Sequence, residues 1–74
     1  MIGLLVNTKE AKELEYLLKR EMEEILFDLD DERIDQIAKR AMEERYKIIF
    51  MLFRRIAQPG DCIRYMRKKR IKKY

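Results

Sequence analysis

Residues 46–57 read YKIIFMLFRRIA, and the fold class of the chain rests on how this stretch is interpreted. The residues just before it are strong helix formers, and no turn signal interrupts the chain between Glu32 and Gln58. The β-branched and aromatic residues at 46–53 would suit a strand, but this helical context excludes one. We therefore predict a long helix over residues 31–57.

Apolar side chains occur on every side of this predicted helix at residues 48–53. One neighbouring helix covers only one stripe, so the far side requires a second cover. Leaving two or three large apolar side chains exposed would forgo about 1.5–3 kcal/mol each. A third helix or a second copy of the chain could supply the cover, and we expect a homo-oligomer, with a dimer as its simplest form. The residues expected at the oligomer or partner interface are Ile49, Phe50, Phe53 and Ile56.

A second long helix is predicted upstream. Asn7 and Glu10 have the spacing of a capping box, in which each side chain accepts a hydrogen bond from the backbone N–H of the other residue. Apolar residues then recur at steps of three and four, which predicts a helix over residues 8–27. The acidic connection that follows is short, so the two helices are expected to form an antiparallel hairpin. The apolar segment of residues 1–6 is expected to cover the overhanging end of the second helix.

The sequence QPGD at residues 58–61 is predicted to end the second helix, since proline disfavours helix in the residue before it. Asp61 is expected to cap a short basic helix over residues 61–72. With two glycines and one proline in 74 residues, the chain has too few turn formers for a strand-rich fold. The predicted fold is all-α: an antiparallel hairpin of two long helices plus a short C-terminal basic helix, pairing into a helical bundle within one domain.

Charge is distributed unevenly along the chain. Residues 1–44 carry a net charge of −6, whereas residues 45–74 carry +10. The segment 64–74 has seven basic groups, two tyrosines and no acid. Such a segment suits nucleic-acid phosphates and bases, an acidic protein surface or the chain's own acidic half, and it equally suits a solvated tail. The candidate nucleic-acid-binding residues are Arg64, Arg67, Lys68, Lys69, Arg70, Lys72 and Lys73.

No catalytic residue, metal site or cofactor is predicted. The chain has one cysteine and no histidine, so neither an internal disulfide nor a structural zinc site is expected. The carboxylates at residues 28–32 begin like a calcium loop, but Arg33 and Lys39 occupy the positions that need glycine and glutamate. Cys62 is predicted near a helix start, yet no plausible base is close to it in the sequence.

The apolar run at the amino terminus is too short for a signal peptide or a membrane span, so a cytoplasmic protein is expected. Two functions of different class remain open. The first is a protein–protein interaction or regulatory module that acts through self-association and an apolar helix face, with its partner unidentified. The second is a sequence-independent nucleic-acid-binding accessory protein. A membrane-surface role is disfavoured, because the apolar face of the last segment is thin.

Overall fold

A computed structural model of the chain describes residues 1–66. It confirms the all-α prediction, since the regular structure of these residues is three α-helices: α1 (Thr8–Leu29), α2 (Gln36–Arg54) and α3 (Pro59–Tyr65). The two long helices α1 and α2 pack on each other, and α3 packs on α2. The architecture is therefore a pair of long helices joined by a short connection, with a third short helix laid against the second.

The start of α1 follows the sequence prediction closely. The Asn7 side chain accepts a hydrogen bond from the backbone N–H of Glu10 at 2.8 Å, and the Glu10 carboxylate accepts one from the backbone N–H of Asn7 at 3.0 Å. Two of the donors that a helix start leaves without partners are thereby satisfied. The helix runs two residues beyond the predicted end at residue 27, and its last residue, Leu29, packs against the core.

The second helix is shorter than the predicted span of residues 31–57. Asp31 does not open it, because its carboxylate accepts hydrogen bonds from both the backbone N–H and the guanidinium of Arg33, each at 2.9 Å. Asp35 is the N-cap instead, and its side chain accepts from the backbone N–H of Ala38 at 2.8 Å. The bonds from Arg33 also hold the pKa of the Asp31 carboxyl below its ordinary value. Because Asp31 is bonded to Arg33 within the connection, α2 begins at Gln36, five residues after Asp31.

The third helix also begins differently from the prediction. Pro59 lies in its first turn and Gln58 is the N-cap, so Asp61 is a first-turn residue rather than the cap. Proline suits this position because the first N–H groups of a helix have no intrahelical acceptor, and its fixed φ is already helical. The helix ends at Tyr65, and residues 67–72 of the predicted basic helix lie outside the described residues.

A small core joins the three helices. The ring of Tyr65 meets the ring of Phe53 edge-on, with centroids 5.5 Å apart, and the Tyr46 hydroxyl donates to the Tyr65 carbonyl. Phe53 and Tyr46 are almost completely buried as a result. The buried apolar residues of the described chain are Met22, Ile25, Tyr46, Ile49, Phe53 and Tyr65.

Residues 1–6 do not cover the second helix, contrary to the expectation from their apolar composition. They precede the α1 cap without helical structure, and each of them is exposed. The inner surface at the end of α2 is covered by α3 instead, through the contact of Tyr65 with Phe53. The structural role expected of the apolar arm is thus filled by another element.

We expect Phe53→Ala to lower the free energy of unfolding by about 3 kcal/mol, because it removes the ring on which the α3 contact depends. Phe27→Ala on α1 is the matched control, because it makes the same change outside the core. Phe27 is exposed, so its truncation should cost less than about 1 kcal/mol. Urea denaturation followed by circular dichroism measures both values. Equal losses for the two variants would contradict the burial assigned to Phe53.

Candidate interaction surface

The structure turns the predicted interface residues largely inward. Ile49 and Phe53 belong to the core, and Ile56 is half-buried just after α2. The Phe50 ring is half-buried and lies parallel to the ring of Tyr46, with centroids 6.5 Å apart. Within one chain, α1 and α3 already cover Ile49 and Phe53, so the predicted contact of these residues with a partner stays a prediction.

The opposite side of α2 carries an exposed apolar surface, which we call the outer stripe. Its members recur at helical spacing, and they lie across the helix axis from the buried Tyr46 and Phe53. Four large side chains in it remain 45% to 79% exposed. The outer stripe consists of Ile37, Ala41, Ile48, Met51 and Leu52.

Charged side chains border the outer stripe. Lys47 and Arg55 line a shallow groove together with Ile48, Met51 and Leu52. The Lys47 ammonium lies 3.6 Å from the Glu44 carboxylate, and both side chains are largely exposed. An exposed pair of this kind contributes little to stability. The groove therefore offers an apolar floor with basic groups at its edges, a composition that suits an apolar helix face with acidic neighbours.

Polar contacts fix α3 and α2 to α1 on the other side of the molecule. The Tyr65 hydroxyl donates to the Glu23 carboxylate at 2.6 Å, and the Arg45 guanidinium lies 3.1 Å from the Glu21 carboxylate. Burial, reinforced by the bond to Glu23, raises the pKa of Tyr65 to about 12. These contacts hold the side of α2 that carries Tyr46 and Phe53 against α1 and α3, and the outer stripe lies exposed on the opposite side.

Of the seven predicted nucleic-acid-binding residues, Arg64 alone lies within the described chain, and its side chain is exposed. The other six, from Arg67 to Lys73, lie outside the described residues. Residues 1–66 contain twelve basic and fourteen acidic side chains, a net charge of −2. The positive net charge of the whole chain therefore depends on residues 67–74.

Candidate sites for metal or thiol chemistry are few in residues 1–66. In that part of the chain, no three His, Cys, Asp or Glu side chains come together as a metal site would require. Cys62 is half-buried and packs against the core. None of the helices described in this range has the length and apolar character needed to cross a bilayer.

The chain matches no protein-family model, no curated protein and no solved structure.

The predicted interface residues do not include the outer stripe, although the sequence contains a signal for it. The prediction gave weight to the two phenylalanines, which are the largest apolar side chains of α2. Helical periodicity counted outward from Ile37 leads to Ala41, Ile48 and Leu52, a second apolar line that the core does not use. Both apolar lines of α2 have helical spacing, so the sequence does not show which one is buried. That depends on where α1 and α3 pack.

Tyr65→Phe tests the contact between α3 and α1. The pKa of Tyr65 is raised above its ordinary value of 10, so the stabilisation is complete below pH 10 and is lost as the pH rises towards 12. We expect the wild type to unfold with a larger free energy than the variant at neutral pH, and the difference to shrink between pH 10 and 12. Urea denaturation at several pH values measures it. A difference that stays constant through this window would contradict the assigned contact.

Proposed function

We propose that this chain is a non-catalytic protein–protein interaction module that acts through self-association on the outer stripe of α2. The observation that supports the proposal is the exposure of Ile37, Ile48, Met51 and Leu52 on one face of a helix whose other face is already packed. Ile48, Met51 and Leu52 form an apolar patch bordered by Lys47 and Arg55, and an exposed patch with a polar rim is typical of an interaction site.

The energetics favour a helical occupant. Fully burying a side chain such as leucine or isoleucine yields about 1.5–3 kcal/mol, and the members of the outer stripe are already about half exposed or more. A straight stripe on a helix packs best against the stripe of another helix, because ridges of side chains then fit into grooves. Helical hairpins that pair in this way form four-helix bundles. A dimer of this chain is therefore the assembly that we propose.

Ile48→Glu tests the use of this face. Ile48 is 65% exposed, so the substitution should leave the monomer folded while it places a charge inside the proposed contact. We expect the wild type to associate between about 10 and 200 µM, and the variant to bind at least about tenfold more weakly. Sedimentation velocity measures both association constants, and circular dichroism confirms that helix content is unchanged.

Phe27→Glu is the matched control for this experiment. Phe27 is a large exposed side chain on α1, in a separate surface shared with Arg20 and Glu24. The same loss of apolar area and gain of charge at this site should leave association unchanged. A wild type that stays monomeric throughout the concentration range refutes the proposal. So does a control that weakens the dimer as much as Ile48→Glu does.

Nucleic-acid binding is the second candidate function, supported by the concentration of positive charge in residues 67–74. We expect a variant with Arg67, Lys68, Lys69 and Arg70 changed to glutamine to lose most of any affinity for a mixed-sequence duplex. Each phosphate contact removed should reduce the slope of log affinity against log salt by about 0.9. Fluorescence anisotropy at low and moderate salt measures the slope. Failure of the wild type to bind at low salt would reject this function.

A further inference from the structure

We infer that two copies of this chain pair through their α2 helices in antiparallel orientation, with the acidic end of one copy against the basic end of the other. The inference rests on the proposed self-association and specifies its geometry. The occupant of the outer stripe is thus the outer stripe of a second copy, related to the first by a two-fold axis across the middle of α2. Such an arrangement is isologous and closed, so it yields a dimer and not a filament.

Charge at the two ends of the outer stripe supports this orientation. Residues 30–35, which lead into α2, contain four carboxylates and a single arginine. At the other end of the helix, Arg54 and Arg55 are both exposed, and no acidic residue lies near them in the chain until Asp61. The helix itself is about 28 Å long, so the two charged ends are well separated.

The same division extends beyond α2. Residues 20–44 carry ten acidic and four basic side chains, a net charge of −6. Residues 45–66 carry five basic side chains and one acidic one, a net charge of +4. The ion pair between Arg45 and Glu21 lies at the boundary between these two groups. The described chain is therefore acidic on the side of the connection and basic on the side where α2 ends.

Two copies aligned in parallel would place carboxylates beside carboxylates and arginines beside arginines. In the antiparallel arrangement each acidic end meets the partner's basic end, so the charges attract at both ends of one apolar contact. Such complementarity selects orientation and register even where it adds little net affinity. Overlap of the whole outer stripe brings Ile37 of one copy beside Leu52 of the other, whereas parallel pairing brings equal residues together.

Cysteine crosslinking distinguishes the two orientations. Full-length chains carrying Cys62→Ser and either Ile37→Cys or Leu52→Cys are mixed, one of them bearing a mass tag, and treated with a bismaleimide that spans about one helical turn. We expect the product that joins position 37 to position 52. Products joining 37 to 37 or 52 to 52 should be absent, because these pairs would lie about 22 Å apart along the helix axis.

Each outcome bears on a different part of the proposal. A dimer that crosslinks at equal positions overturns the antiparallel orientation and leaves self-association standing. A dimer that yields no product with either pairing overturns the use of the outer stripe. A chain that sediments as a monomer overturns both, and the stripe would then serve a different protein. The Cys62→Ser chain without a new cysteine should give no product.

A charge reversal supplies a second readout that does not depend on added thiols. Arg55→Glu should weaken the dimer about fivefold to tenfold, because it places acid against the partner's acidic connection. Adding Glu32→Arg to the same chain should restore most of the affinity. Residues 32 and 55 stand at opposite ends of α2, about 28 Å apart, so a rescue reports contact between copies. Additive effects of the two substitutions would contradict the inferred pairing.

Discussion

The packing of Tyr65 against α2 is the contact on which the rest of this molecule depends. The Tyr65 ring packs edge-on against Phe53, and the Tyr65 carbonyl accepts a hydrogen bond from the Tyr46 hydroxyl. The Tyr65 hydroxyl donates a hydrogen bond to the Glu23 carboxylate on α1. One residue therefore connects all three helices. A chain of this length has little apolar surface to bury, so a side chain that contributes packing and hydrogen bonds together has a large effect. Removing it would expose the aromatic surface of α2 and free α3.

This contact also decides which side of α2 is available to other molecules. A helix that is apolar on all sides needs more than one neighbour. Here α1 and α3 share the inner face, and both lie away from Ile48 and Leu52. The division of α2 into a closed face and an open face follows from the packing of α1 and of the seven-residue helix α3 on the same side. Neither of these helices contributes a residue to the outer stripe.

The helical class and the first cap could be predicted because they depend on local chemistry. Asn7 and Glu10 are three residues apart, and no distant residue is needed to form their mutual hydrogen bonds. The start of α2 could not be located in this way, because four aspartates at positions 28–35 all qualify as caps. The Asp31 carboxylate accepts hydrogen bonds from Arg33 and does not cap the helix, whereas Asp35 is the N-cap of α2. The face that is buried could not be predicted either, since it depends on contacts between residues far apart in the chain.

The six residues before the Asn7 cap have a consequence for the lifetime of the chain. They are exposed and lie outside the helices, and they include Ile2, Leu4 and Leu5. Proteases cleave exposed, non-helical backbone readily, whereas the capped helix that begins at Thr8 resists cleavage until it unfolds. Cleavage within residues 1–6 should leave the helical core intact, because none of these residues belongs to it. Proteolysis of the native protein is therefore expected to reach residues 1–6 before it reaches α1.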